Sequence, residues 1–593
     1  MTPSLRPSTS KSALLIFLSV AVVAGGCRVG GEAVERGPAH LGPVSVSLTN
    51  PASQVVRSPA GVVSSGSVLA SQVGASVLAE GGSAVDAAIA TSFALLVAEP
   101  TMSGLGGRVS ILVRTSDGRV RGIDGLNQVP STFREGGAEG YERAAIPGHP
   151  AAMGLLLEEL GSWELRELLA PAIALAEGGV PLTAGEARRL NDAAEELGRH
   201  PGAADLLAPG DAGWRVGDRF HQPTAARTLR AIAEEGVGVV YEGWVADSIA
   251  VDMERNGGFI TRDELRRYRA LEALPVEGRY RDHAILSNFR PSSGHTVIQA
   301  LQTMELLEEE GDGELRGSAL LAEALRHALD DRHLELGSEE ESAVTLTSPA
   351  HARERAASIE LGLDRSASVG SVPSGGPYGS PAWSAAGGFP PSTWAGGAGS
   401  QIAAPEGVLF ESPGDRESTS HFSVVDGEGT VVLVTQSLGP SMGTRVISPG
   451  VGFPYATRLG DEPGSRPTSA ISPTLVLDPG GEFLLALGGA GDDRIISAVT
   501  QVIHRVVGQG MELPEAVGAR RVHPVEDREL RVEAGPVGFW NPEEVEVFSS
   551  TGREVVPTPS NYFGRIHGVG RDGTGFVGVA EARWDGSAVA PLR

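Results

Sequence analysis

The chain has 593 residues, 41% of them hydrophobic and 21% charged, with a formal net charge of −26. This balance suits a soluble protein with a sizeable core and argues against a nucleic-acid partner, which would require a basic stripe. Lys11 is the only lysine and Cys27 the only cysteine, so the body holds no Schiff-base lysine, no intrachain disulfide and no thiolate zinc site.

In chain order, Arg6 and Lys11 precede an apolar run from Ala13 to Val23, followed by Ala24-Gly25-Gly26-Cys27. A charged start, a short apolar stretch and small residues describe an export signal. At about 20 residues per membrane span, the run is too short to cross. A cysteine directly after small residues resembles the bacterial lipoprotein signal, although that pattern prefers Leu where Ala24 stands. The resemblance implies that residues 1–26 are removed and Cys27 is acylated, giving a cell-envelope lipoprotein that meets the membrane only through its lipid. Residues 27–51, rich in Gly, Pro and Val, read as a tether.

Residues 83–99, SAVDAAIATSFALLVAE, are apolar almost all round and predict a buried helix closed by Pro100. Helical spacing continues over 150–200 and 222–270, where Thr261-Arg-Asp-Glu264 has the form of a capping box. A further helix is predicted from Thr296 to the Glu-rich stretch at 307–310, a solvated face. Between about 369 and 404 the composition falls to Gly, Ser, Pro and Ala, which predicts a mobile linker. Beyond it come two hairpin patterns, 421–426 with 430–437 and 472–478 with 482–488, each pair flanking a Gly-containing turn.

Two motifs have bland readings. Gly439-Pro440-Ser441-Met442-Gly443 matches a nucleophile elbow, but that elbow must open a helix and the residues after it do not. Gly104-Leu105-Gly106-Gly107 lacks the strand, helix and downstream acid of a nucleotide site. The remaining candidate is Thr419, in Glu417-Ser418-Thr419-Ser420-His421, where the helical part gives way to strands.

Around Thr419 the sequence resembles the γ-glutamyltransferase family of N-terminal-nucleophile hydrolases. The resemblance extends over GGSAVDAAIATSFALLVAEP (81–100), SGLGG (103–107), PGHPAAM (147–153), LLAPAIALAEGG (168–179), PSSGH (291–295), TSHFSVVD (419–426), RPTSAISPTLV (466–476) and GVAEARWDGSAV (578–589). It implies an α+β fold, an αββα four-layer sandwich, and a chain that cuts itself before Thr419. The products would be a mostly helical large subunit, 52–418, and a strand-rich small subunit, 419–593, held together as a heterodimer. Thr419 would then supply the hydroxyl nucleophile and, through its freed α-amine, the general base, with no cofactor or metal. The amine's ordinary pKa of about 7.7–8.0 suits that task.

The resemblance places a second hydroxyl at Ser437, where the family usually has Thr, and the oxyanion-binding N–H pair at Gly491 and Asp492. In the donor pocket Ser469 is retained, while Ala470 replaces a serine. Leu126 replaces the arginine that holds the donor carboxylate. On the amine side Asp461 is retained, Gly439 replaces an asparagine, and Arg458 replaces a Gln or Glu and could hold the carboxylate instead. The short connection from Asp461 to Arg466 implies a site without a lid. The expected function is an amidase acting on γ-glutamyl or related small-molecule or peptide acyl amides. The alternatives are an acylase for a glutaryl-type side chain and a non-catalytic surface lipoprotein.

Overall fold

The computed structural model describes residues 52–134, 140–309, 314–359, 418–525, 529–534, 540 and 542–592. Cys27, the tether and the 369–404 segment lie outside them. Among the described residues no helix is long and apolar enough to cross a membrane.

The central strands sort their side chains by alternation. Along Ser418–Asp426, Phe422 and Val424 join one apolar cluster while Val425 joins another. Its hairpin partner Val431–Gly439 does the same, with Val432 and Val434 on one side and Val431 and Leu433 on the other. The first cluster packs these strands under helices Val68–Ala79 and Ala84–Ala98. The second fills the space between two sheets, where Leu475, Ala486 and Val569 come from the opposite one. A third cluster covers that sheet's outer face with helices Gly294–Glu309 and Arg494–Ile503. The result is a four-layer αββα sandwich.

The eight-stranded sheet runs Ala52–Ser53, Ser587–Val589, Gly61–Ser65, Ser418–Asp426, Val431–Gly439, Arg108–Arg114, Val120–Gly125, Leu271–Glu272. The seven-stranded sheet runs Val55–Ser58, Gly575–Ala580, Arg565–Asp572, Phe483–Ala490, Thr474–Leu477, His283–Asn288, Pro275–Tyr280. Both sheets therefore interleave strands from before and after Thr419. The part before Thr419 is thus less purely helical than its sequence predicts. Arg108–Arg114 shows why: it is buried along its whole length, and a strand covered on both faces loses the polar–apolar alternation that would reveal it.

The predicted helix over 83–99 forms as Ala84–Ala98, every side chain buried. Its start is a capping box: Asp86 N–H donates to Ser83 Oγ at 3.2 Å and Ser83 N–H to Asp86 Oδ2 at 2.9 Å. At Thr261 only half of the predicted box forms. Glu264 N–H donates to Thr261 Oγ1 at 3.3 Å, while the Glu264 carboxylate instead accepts from Ser131 and Arg267.

Two histidines occupy the space between the sheets. His421 bonds Thr435 Oγ1 at 2.7 Å and Ser423 Oγ at 3.0 Å, and Gly488 opposite leaves it room, since a Cβ there would stand 2.4 Å from the ring. Burial pushes His421 well below the usual histidine range and His567 down to about 3. In the unfolded chain both titrate near 6.5. Below that pH the unfolded state binds more protons than the folded one, so stability falls as the pH drops from 6.5 towards 3. The urea midpoint should therefore be lower at pH 5 than at pH 7.5; an equal or higher midpoint at pH 5 would contradict this assignment.

Candidate active site

Strand register builds the site. Thr419 pairs with Ser437, and Ser437 pairs across the next strand with Arg108. Cross-strand partners share a face. Here it is the face shared with Ser423, Val425, Leu433 and Leu112, which looks into the space between the sheets. Thr419, Ser437 and Arg108 thus form a row at one end of that space. A register shift between Ser418 and Thr419 breaks the ladder at this point, as a bulge does where a side chain is re-aimed.

The hydroxyls in this row form a relay. Thr419 Oγ1 donates to Ser437 Oγ at 3.0 Å, and Ser437 Oγ donates to the Ser418 carbonyl at 2.8 Å. Gly439 N–H donates to Ser437 Oγ at 3.0 Å, fixing that hydroxyl's position. Arg565, stacked 4.3 Å over Trp584, donates to the Thr419 carbonyl at 3.1 Å. Ser420 Oγ donates at 2.7 Å to Glu99, a carboxyl that burial raises above its usual range. A hydroxyl and a hydrogen-bonded peptide carbonyl thus stand on either side of one peptide bond.

The opposite sheet supplies the facing wall. Its strand Phe483–Ala490 ends at the same place and turns through Gly491 (φ 130°) and Asp492 (φ 55°) into helix Arg494–Ile503. Left-handed backbone of this kind suits Gly freely, and Asp better than most residues. The turn presents the positive end of a helix. Burial and the neighbouring Asp493 push Asp492 up to about 6, against the pull of Arg332 and Arg494.

Between these walls lies a cavity of about 360 Å³. It brings together Thr419, Ser437, Gly439, Arg458, Ser469, Ala470 and Asp492. Gly491 lines a smaller adjoining space beside Ser418.

Two positions that the resemblance assigned to the pocket lie elsewhere. Leu126 is 1% exposed and off the cavity wall; its N–H donates to Asp124 Oδ1 at 2.7 Å and its carbonyl accepts from Tyr268 at 2.7 Å. An apolar side chain turns into the core there. Asp461 is also absent from the wall: its side chain is 77% exposed and accepts from Arg458 Nε at 2.9 Å. Arg458 does line the cavity, but it is held by Asp461, by the Glu142 carbonyl and by stacking 4.1 Å over Phe133. The short 461–466 connection is pinned down by Arg466, which donates to Asp124 Oδ2 at 2.8 Å, and by Gly464 N–H, which donates to the Val129 carbonyl at 3.0 Å.

Three arginines on the wall escaped sequence reasoning: Arg108, Arg143 and Arg332. Of these and Arg458, Arg332 is ion-paired with Asp493 and Arg458 with Asp461, and Asp492 adds a carboxylate to the same wall, so the lining carries both signs. Burial lowers Arg108 to about 10. Ser441 lies in a turn and off this wall, as its sequence context predicted. The Gly104–Gly107 cluster has a packing role, because a Cβ on Gly106 would stand 2.2 Å from the Pro454 carbonyl. Among the described residues no group of three His, Cys, Asp or Glu side chains could hold a metal ion.

A profile of the Gamma-glutamyltranspeptidase family matches residues 70–591. The chain is 30% identical to a glutathione hydrolase proenzyme of Escherichia coli, over 86% of this chain and 89% of that one. It is 31% identical to the acylase ACY 1 proenzyme of a Pseudomonas species, over 89% and 93% respectively. Among solved structures, the cephalosporin acylase of Bacillus halodurans superposes with a TM-score of 0.75 at 24% identity, covering 93% of this chain and all of that one. This last likeness bears on the fold.

Proposed function

The chain belongs to the gamma-glutamyltranspeptidase family, and from that premise we propose that it is a self-processing amidase in which Thr419 serves both its own cleavage and substrate turnover. The observation that carries this reading is the relay from Thr419 Oγ1 through Ser437 to the Ser418 carbonyl. In self-cleavage, Thr419 Oγ1 attacks the Ser418 carbonyl carbon while Ser437 stabilises the developing oxyanion. The Ser418–Thr419 C–N bond breaks, and the nitrogen takes up the proton to become the Thr419 α-amine. Water then hydrolyses the resulting ester, leaving a Ser418 carboxylate. Residues 52–418 and 419–593 remain together as a heterodimer, which the interleaved strands support.

The freed amine takes the Oγ1 proton as the hydroxyl attacks a γ-glutamyl or related acyl amide. The N–H groups of the Gly491–Asp492 turn face the oxyanion, the amine of the substrate leaves protonated, and water or a second amine resolves the threonyl ester. Intact-mass measurement and N-terminal sequencing of purified protein, followed by an amide panel, test the reading. A small chain beginning at Thr419 and liberation of the amine are expected. An uncut but active protein would overturn it.

Asp492 sets the pH dependence. Its carboxyl is neutral below about 6 and ionised above, where its charge opposes the oxyanion. Asp492→Gly, at a φ that glycine adopts without strain, should raise kcat severalfold at pH 8 and change it little at pH 5. A kcat profile lowered at every pH would show instead that the carboxylate assists.

Cys27 we propose to be the lipid anchor, on the charged start, apolar run and small residues before it. Detergent phase partitioning should carry the wild type into the detergent phase and leave Cys27→Ala in the aqueous one; an aqueous wild type would sink the idea.

A further inference from the structure

Arg565 ties the two walls of the site together. In the seven-stranded sheet its backbone pairs with Ala490, the residue before the Gly491–Asp492 turn. Its guanidinium crosses to the other sheet and donates to the Thr419 carbonyl at 3.1 Å. It is 7% exposed and stacks 4.3 Å over Trp584. Burial lowers it to about 10, which leaves it charged at neutral pH.

This cation stands beside the atom that self-cleavage would free. The carbonyl oxygen and the nitrogen of one residue are three bonds apart, so at ordinary bond lengths the guanidinium lies within about 7 Å of the Thr419 nitrogen. A positive charge that close, between buried walls, disfavours a second one and so lowers the pKa of an amine.

The surrounding charges leave that effect standing. On helix Ala184–Leu197, Arg189 is ion-paired with Glu186. Across the cavity Asp493 is paired with Arg332, and Asp492 is met by Arg332, Arg494 and Arg108. Glu99, just past helix Ala84–Ala98, is the acid that acts most strongly on Arg565. Burial favours its neutral form, and it accepts from Ser420, whose side chain alternates to the strand face opposite that of Thr419. His333, His567 and Tyr562 are neutral near pH 7, because burial pushes the histidines down and the tyrosine up.

We propose that Arg565 is the positioning residue of the Thr419 base, pinning Thr419 against the Gly491–Asp492 turn and keeping its freed α-amine neutral near pH 7. This rests on the amidase reading above and deepens it. At its ordinary pKa of about 7.7–8.0 the amine would be mostly protonated at pH 7 and unable to take the Oγ1 proton. A downward shift of about one unit, ordinary for a neighbouring like charge, leaves roughly half of it free.

Reductive methylation reads this amine directly, because Lys11 is the only lysine and a small chain beginning at Thr419 holds no other amine. Its rate on the Thr419 peptide, followed by mass from pH 5 to 9, gives the titration midpoint. In the wild type the midpoint should lie about one unit below the ordinary range, and in Arg565→Met it should return to that range. Arg565→Lys, which keeps the charge, should stay near the wild type and decides the matter if Arg565→Met is not cut. A cut and active wild type with an ordinary midpoint, or equal midpoints in the wild type and Arg565→Met, would overturn the role of Arg565 and leave the amidase reading intact. An Arg565→Lys that is uncut or titrates in the ordinary range would do the same. A wild type not cut at Thr419 has no such amine and would overturn both.

Discussion

Thr419→Ala should yield a single uncut chain with no measurable amide turnover. The substitution deletes the hydroxyl that attacks the Ser418 carbonyl, and the uncut chain also lacks the free α-amine needed as base. Both functions vanish with one atom, so turnover should fall by about 10³-fold or more. Folding should survive: Thr419 is buried at the end of a strand whose register is held by pairs from Ser420 to Val425, and its hydroxyl makes one hydrogen bond, to Ser437. Intact mass and circular dichroism check the two halves of this expectation. A variant that is still cut between Ser418 and Thr419 would mean that another group attacks.

Ser437→Ala should slow self-cleavage by about 10²–10³-fold, the usual loss on removing one oxyanion donor. Ser437 holds three roles at once: acceptor from Thr419, donor to the Ser418 carbonyl and acceptor from Gly439 N–H. The alanine variant also leaves that buried N–H unpaired, at a cost of about 1–3 kcal/mol. Ser437→Thr keeps the hydroxyl on a β-branched side chain that suits a strand, and should restore the wild-type rate. A time course of the cut after purification at low temperature separates the three proteins. Equal rates in Ser437→Ala and the wild type would remove Ser437 from the mechanism.

The two hairpins and the buried helix were legible in the sequence because alternation, all-round apolarity and turn glycines are local signals. The early strands were not. Gly61–Ser65 and Arg108–Arg114 lie between neighbours in the middle of a sheet and are buried along their lengths, so their pattern lacks the polar alternation of a half-exposed strand. For the site, the Thr419 and Ser437 positions followed from the family resemblance, and hairpin register then joined them. Arg108 could not be found that way. Its place beside Gly439 depends on a strand pairing between residues more than 300 positions apart, and on a missing side chain whose volume it takes. Leu126 shows the reverse: its position in a motif suggested a pocket wall, while its side chain is buried and off that wall.

Turnover through an acyl-enzyme on Thr419 is open to direct detection by mass spectrometry of the trapped intermediate. Purified, self-cleaved protein is mixed with a glutaryl p-nitroanilide, quenched in acid within the first turnovers and digested. A glutaryl mass increment is expected on the peptide that begins at Thr419, confined to the small chain and absent from Thr419→Ala. The same increment on the peptide carrying Ser441, or an unlabelled Thr419 peptide under conditions of steady turnover, would contradict it.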